Sequence, residues 1–262
     1  MPVWDTHAHV IDHRYPFADG RDYTPDPCPL EDYLAMLDRN GFERGVLIQP
    51  SFYGFDNRCL LDALDRADGR LVGVMVPAPA TTGRDLEALH SRGVRGVRCN
   101  LVNSGGLQAE AVLHWQPALR ELGWHVAFQI IVDDMPNLRA FLEPFTVPVV
   151  IDHMGRPRDL DPAAPRVAQL IELVRDGACY VKLSAPYRFS RAAPPWPDVI
   201  PLARALVSAN AAGCMWATDW PHTAVTHSIH ERDLHRSLDD WCPDTLTRAA
   251  ILETTPETLF GN

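Results

Sequence analysis

Several features that mark other classes of protein are missing from this 262-residue sequence. The 24 Lys and Arg residues are outnumbered by 34 Asp and Glu residues, the formal net charge is −10, and no run of basic residues occurs. A nucleic-acid or anionic-membrane surface needs such a basic cluster, so neither partner is expected. A few arginines inside one cleft can still bind an anionic small molecule, because local charge outweighs global charge there.

Long hydrophobic runs and cysteine motifs are also missing. No apolar run approaches the roughly 18 residues of a membrane span, and the N-terminus lacks the basic and apolar regions of a secretory signal. The six cysteines contain no C-x-x-C pair, so we expect free thiols in a cytoplasmic protein. Glycine-rich phosphate loops, dinucleotide fingerprints and the G-x-S-x-G elbow do not occur either.

What the sequence does contain is a regular alternation of strands and helices. Eight apolar runs predict strands, and segments with a period near 3.6 between them predict helices. Leu30, Tyr33, Leu34 and Leu37 form the first of these helical segments, and Gly41 is placed as its stop. The predicted strands are Val3–His9, Gly45–Gln49, Leu71–Pro77, Val94–Asn100, His125–Ile131, Val147–His153, Ala178–Ser184 and Cys214–Trp220.

This alternation predicts an α/β fold, a single-domain (β/α)8 TIM barrel over residues 1–262. A doubly wound open sheet alternates in the same way, but it would place a glycine-rich turn after the first strand. That strand instead ends in Thr6-His7-Ala8-His9, which offers no phosphate cradle. In a barrel the active site lies where the strands end, so polar residues at those positions are the candidates for chemistry.

Three polar clusters lie at predicted strand ends. His7 and His9 share one side of the first strand, because residues i and i+2 point the same way. His153 closes the sixth predicted strand and Asp219 closes the eighth. Three imidazoles and one carboxylate can act as an acid–base set without metal, or they can hold one Zn²⁺ or Mn²⁺ ion. Asp5 and Asp152 have the opposite strand parity and are expected to orient neighbours or to face the helices.

A second group of residues suits the recognition of an anion. Arg98 and Asn100 share a side at the end of the fourth strand, Ser51 follows the second strand, and Arg188 follows the seventh. A guanidinium group can bind a carboxylate through two parallel hydrogen bonds. Exposed salt bridges remain an equally good interpretation of Arg95, Arg156 and Arg158. His125 begins its strand, so it is expected at the other end of the barrel in a structural role.

The ordered motifs Thr-His-Ala-His, Asp-His-Met-Gly-Arg-Pro and Ala-Thr-Asp-Trp-Pro-His resemble those of the amidohydrolase superfamily. More narrowly, the chain resembles the lactonase branch that contains the 2-pyrone-4,6-dicarboxylate lactonases. The resemblance implies a (β/α)8 barrel that hydrolyses a carboxylate-bearing lactone, with Asp219 as the general base and with His7, His9 and His153 polarising the carbonyl. It also implies that no metal is required, and it places Tyr23, Ser51, Arg98, Arg188 and His222 near the substrate.

The chain departs from that branch at two positions. The arginine that follows the strand-four arginine in the branch is absent from Leu101–Gly106, and a strand-five tyrosine corresponds to Gln129. We therefore expect a lactone with fewer or differently placed carboxylates. The alternatives are a metal-dependent decarboxylase of an aromatic or muconate-type acid, a sugar-acid lactone isomerase, and a barrel that only binds a small acid. The sequence leaves the oligomeric state open and is compatible with a homo-oligomer.

Overall fold

The computed structural model describes residues 1–103, 106–225 and 228–261. Eight parallel strands pair in chain order, each with the next, and helices alternate with them along the chain. The predicted (β/α)8 barrel is therefore confirmed. The strands are β1 Trp4–Ala8, β2 Arg44–Ile48, β3 Leu71–Met75, β4 Val94–Asn100, β5 His125–Gln129, β6 Val149–Ile151, β7 Tyr180–Leu183 and β8 Cys214–Trp216.

The helices cover the outer face of the strands. They are α1 Leu30–Asn40, α2 Arg58–Arg66, α3 Gly83–His90, α4 Gln116–Glu121, α5 Leu138–Leu142, α6 Pro165–Arg175, α7 Ile200–Ala209, α8 Glu231–Trp241, α9 Thr245–Ala249 and α10 Thr255–Phe260. The α1 helix ends where predicted, because Gly41 takes the left-handed conformation (φ 74°) and caps the last carbonyls. None of the helices that the structure describes is long and apolar enough to cross a membrane.

The barrel closes between the first and last strands just beyond the end of β8. The amide of Asp219 donates to His7 O at 3.0 Å, and the amide of His9 donates to Trp220 O at 2.8 Å. Inside the barrel, one apolar cluster fills the end where the strands begin. It includes Trp4, Val46, Val72, Val150, Met215 and Phe260. The opposite end, where the strands finish, carries the polar residues.

Six of the eight strands are shorter than predicted, and in β6 and β8 the difference changes where the polar residues lie. β6 stops at Ile151 and β8 at Trp216, so His153 and Asp219 follow their strands instead of closing them. Both residues have a left-handed backbone, with φ of 54° and 58°. Such values are uncommon outside glycine and tend to occur at functional sites. The chain turns sharply at each point, so strand parity no longer decides where these side chains point.

Candidate active site

The three histidines and Asp219 converge on one point inside the barrel mouth. The Nε2 atoms of the imidazole cluster, formed by His7, His9 and His153, lie 3.6, 3.7 and 3.9 Å from Asp219 Oδ1. All four side chains are buried. Elements far apart in the chain therefore bring together the residues that the sequence singled out.

The two oxygens of Asp219 have different surroundings. Oδ2 accepts hydrogen bonds from Tyr187 Oη at 2.6 Å and from Arg188 Nε at 2.8 Å, and Arg188 Nη2 forms an ion pair with it at 2.8 Å. Oδ1 has no hydrogen-bond partner in the described part of the chain and faces the imidazole cluster. Burial alone would raise the pKa of Asp219, but the positive charge of Arg188 lowers it well below its usual value. Asp219 is therefore ionised at neutral pH with one oxygen held and one exposed to the cluster.

The imidazole rings are neutral at neutral pH. Burial, partly opposed by Asp219, lowers the pKa of His9 to about 4 and that of His153 to about 3. Burial also lowers the pKa of His7 well below its usual value. Two of the rings have a defined neighbour on the nitrogen that faces away from Asp219. His9 Nδ1 lies 2.8 Å from Ile48 O, and His153 Nδ1 lies 2.8 Å from Ser184 Oγ.

A cavity of about 350 Å³ opens above this cluster at the barrel mouth. His9 and His153 form part of its floor, whereas His7 and Asp219 lie directly behind them. Five of the six residues predicted to bind substrate line this cavity: Tyr23, Ser51, Arg98, Asn100 and Arg188. The sixth, His222, lines an adjoining cavity, which the hydrogen bond of 3.0 Å between Tyr23 Oη and Thr223 Oγ1 separates from the first.

The predicted binding residues differ in how many hydrogen bonds and ion pairs they already form within the protein. Arg98 donates to Gln49 O at 3.0 Å and to Gln129 Oε1, and its Nε lies 3.6 Å from Asp152. Asn100 Oδ1 accepts from the amides of Val102 and Asn103, so this side chain also shapes the loop after β4. Arg188 divides its guanidinium between the cavity and Asp219.

Arg156, for which the sequence left an exposed salt bridge as an equally good interpretation, is a cavity residue. It lines the same cavity, and its buried Nε has no hydrogen-bond partner among the described residues. Burial, reinforced by Arg188, lowers the pKa of Arg156. Its backbone is left-handed (φ 44°), so the chain turns the side chain back over the mouth. We call Arg98, Arg156 and Arg188 the arginine set.

Three further residues support the cluster and were not proposed as site residues. Tyr187 contacts Asp219, as described above. Asp152 lies inside the barrel, with Oδ1 3.4 Å from His7 Nδ1 and 3.3 Å from Lys182 Nζ. It therefore orients a neighbour and does not face the helices, unlike Asp5, which accepts from Tyr33 of α1. A lysine within the apolar run of β7 is the one sequence signal that could have revealed Lys182.

The donor atoms of this cluster also suit a divalent metal ion. Ligand atoms of His7, His9 and Asp219 all lie within 4.8 Å of one another, and His7 Nε2 and Asp219 Oδ1 are buried without a described hydrogen-bond partner. Two imidazole nitrogens and a carboxylate oxygen form a common catalytic set for zinc. The residues therefore form a possible metal site, with His153 beside it.

Comparison with known proteins identifies the family of the chain. The amidohydrolase family model matches residues 4–261. The chain is 36% identical to the 4-sulfomuconolactone hydrolase of Rhizobium radiobacter over 272 residues, spanning 99% of this chain and 90% of that protein. It is 32% identical to the 2-pyrone-4,6-dicarboxylate hydrolase of Comamonas testosteroni, spanning 94% of this chain and 85% of the relative.

A solved structure extends the match over the complete fold. The structure of a "probable 2-pyrone-4,6-dicarboxylic acid hydrolase" from Acinetobacter baumannii, with citric acid bound, has a TM-score of 0.87 and 28% identity, and it covers 100% of both chains. The resemblance noted from the three ordered motifs is thereby confirmed, including the lactonase branch. By its family match and its relatives, the chain belongs to the amidohydrolase family.

Proposed function

We propose that this protein hydrolyses a lactone that carries anionic substituents. The observation that carries the proposal is the convergence of Asp219 Oδ1 and the imidazole cluster directly beneath a cavity lined by the arginine set. A carboxylate and imidazoles can move protons and polarise a carbonyl, and guanidinium groups bind anions. The two curated relatives described above are both named as hydrolases of lactones that bear acidic groups.

In this proposal Asp219 is the general base. Its Oδ1 takes a proton from water, and the water oxygen attacks the lactone carbonyl carbon. Tyr187 and Arg188 hold Oδ2, so the basic oxygen keeps one direction. The tetrahedral intermediate then breaks its ring C–O bond, and the departing alkoxide takes the proton from Asp219. The product is an open-chain hydroxy acid.

The arginine set determines which substrates bind. Arg98 and Arg156 approach the cavity from different strands, since Arg98 lies near the end of β4 and Arg156 follows β6. Arg156 adds a further positive charge to the cavity from a place in the chain distant from Leu101–Gly106, where the branch has its second arginine. Ser51, Tyr23 and Asn100 add hydroxyl and amide groups along the wall. A sulfonate and a carboxylate both present the oxygens that such donors bind, so the proposed substrate class includes both.

We propose further that the reaction needs no metal. The arginine set and Lys182 outnumber the carboxylates of Asp22, Asp152 and Asp219 by one, so the site already carries positive charge toward an anionic substrate. If an ion is bound, His7, His9, His153 and Asp219 would hold it, and it would lower the pKa of water toward 7. Elemental analysis, with turnover measured before and after chelator treatment, tests this point; turnover that disappears with the metal and returns with it contradicts the proposal.

The proposed reaction is tested with a small panel of compounds. Hydrolysis of 4-sulfomuconolactone, 2-pyrone-4,6-dicarboxylate and a neutral δ-lactone is followed by acid release and by proton NMR of the products. We expect an acid and a free hydroxyl from at least one anionic lactone, with little turnover of the neutral one. A shifted ring without acid release would identify an isomerase, and carbon dioxide from aromatic acids would identify a decarboxylase.

A further inference from the structure

Lys182 is a fully buried lysine that lines no part of the cavity. It lies on β7 with its Nζ 3.3 Å from Asp152 Oδ1 and 3.3 Å from His7 Nδ1, and its exposed fraction is zero. Burying a charge is costly even when it is paired, so such a lysine calls for a specific reason. Its position behind the imidazole cluster, on the side away from substrate, rules out direct contact with a ligand in the cavity.

The contacts of Lys182 indicate where the proton of His7 lies. An ammonium group only donates hydrogen bonds, so in its contact with Lys182 the Nδ1 atom of His7 must accept. Asp152 Oδ1 is 3.4 Å from the same nitrogen, a slightly longer contact, and only the contact with Lys182 has hydrogen-bond geometry among the described residues. A neutral ring that accepts at Nδ1 carries its hydrogen on Nε2. That hydrogen faces Asp219 Oδ1, 3.6 Å away, and the floor of the cavity.

His9 has the opposite arrangement. Its Nδ1 lies 2.8 Å from the carbonyl oxygen of Ile48, and a carbonyl can only accept. His9 therefore carries its hydrogen on Nδ1 and presents a bare Nε2 to the same point. The two histidines of one H-x-H motif thus supply one donor and one acceptor.

We propose that Lys182 is a positioning residue that holds His7 as the Nε2–H tautomer, so that this ring presents a hydrogen, and not a lone pair, toward Asp219 and the cavity floor where negative charge develops in the reaction. Metal binding requires a lone pair on Nε2, so the same contact disfavours an ion at this cluster. The catalytic part of this inference rests on the proposed lactone hydrolysis. The tautomer itself does not, because it is a property of the resting protein.

The direct test is the protonation site of His7 in the full chain labelled with ¹⁵N-histidine. Long-range ¹H–¹⁵N NMR distinguishes the two tautomers, and loss of one signal set in His7→Asn assigns the residue. We expect hydrogen on Nε2 of His7 and on Nδ1 of His9. Hydrogen on Nδ1 of His7 in the wild-type protein would overturn the inference, whether or not any variant folds.

Two substitutions of Lys182 separate hydrogen bonding from charge. Lys182→Met removes both, so His7 should shift its hydrogen to Nδ1, toward Asp152. Lys182→Gln removes the charge but keeps an N–H donor, so it should retain the Nε2–H tautomer. With an active lactone, Lys182→Met should lower kcat by about 100-fold, the usual cost of one lost oxyanion donor. KM should change little, and Lys182→Gln should recover most of the loss.

Binding of Co²⁺, followed by its visible absorption, gives a readout that needs no substrate. Lys182→Met should bind Co²⁺ about tenfold more tightly than wild type, in the range of other changes behind a metal ligand, whereas Lys182→Gln should stay near wild type. An equal increase in both variants would assign the effect to charge and contradict the tautomer role. If the NMR result is as expected but no lactone is hydrolysed, the proposed function fails while the assignment of His7 stands.

Discussion

The two ends of the barrel interior are built by the same strands but differ in chemistry. Where the strands begin, apolar side chains pack around His125, whose ring contacts Phe260 at 5.2 Å. Where they end, His7, His9 and His153 surround a carboxylate and face a cavity. His125 was predicted to lie at the end away from the site, and the structure places it there.

His125 and His153 show that a lowered pKa does not by itself identify a catalytic histidine. Burial lowers the pKa of each ring to about 3. Their partners differ, because His153 Nε2 lies 3.9 Å from Asp219 Oδ1 and lines the cavity, whereas His125 lies against Gly96. A carboxylate beside the ring and an opening to the cavity therefore distinguish the reactive end of the barrel from the structural end.

The largest expected effect comes from the reactive end. Asp219→Asn removes the proposed base while keeping the shape of the side chain, so kcat should fall by about 10³–10⁴-fold. Steady-state turnover of the best lactone from the panel measures this, and circular dichroism checks the fold. Normal turnover in a folded Asp219→Asn protein would remove Asp219 from the mechanism.

Acidification should affect stability through the histidines of both ends. His9, His125 and His153 have folded pKa values of about 4, 3 and 3, below the usual 6.5, so between these values only the unfolded chain binds protons. The stability that these three histidines contribute in their neutral form is therefore fully present above pH 6.5 and is lost as the pH falls. Asp5, whose pKa burial raises to about 6, opposes the loss in part. These four groups alone should make the free energies of unfolding in urea at pH 7 and pH 5 differ by on the order of 4 kcal/mol; equal midpoints and slopes would contradict the neutral rings.

The arginine set should control binding more than turnover. Arg98→Met and Arg156→Met should each raise KM for an anionic lactone by about 10–100-fold, the usual value of a charged hydrogen bond, and should barely change KM for a neutral one. Arg158→Met is the matched control, because Arg158 is exposed and pairs with Asp134 at 2.6 Å outside the cavity. A loss of the same size for charged and neutral lactones would contradict anion binding.

The smallest expected effect on activity lies at the structural end. A Cβ added to Gly96 would clash with Cε1 of His125, so Gly96→Ala should destabilise the fold by about 1–3 kcal/mol through overpacking. Because this end has no part in the proposed reaction, kcat should stay at the wild-type value. Thermal unfolding and turnover of Gly96→Ala, and of the same variant combined with His125→Ala, measure both effects; the double variant should regain part of the lost stability.

Strand positions could be predicted because buried parallel strands are nearly continuous apolar runs, and β4 occupies the predicted residues Val94–Asn100. The ends of β6 and β8 could not, because the left-handed turns at His153 and Asp219 depend on closure of the barrel. The same turns placed Arg156 over the cavity, a position that the sequence does not distinguish from that of an exposed arginine.

The sequence by itself determined the barrel, the order of its strands and the residue types at the mouth, since apolar periodicity and short motifs are local properties. Only the tertiary structure decided which nitrogen of each imidazole and which oxygen of Asp219 faces the reaction site. Asp152 directly follows β6 and lies beside His7, and Lys182 contacts the same ring from β7. Arg188 holds one oxygen of Asp219. Such contacts join residues more than 30 positions apart, so they depend on how the closed barrel packs and not on any local pattern.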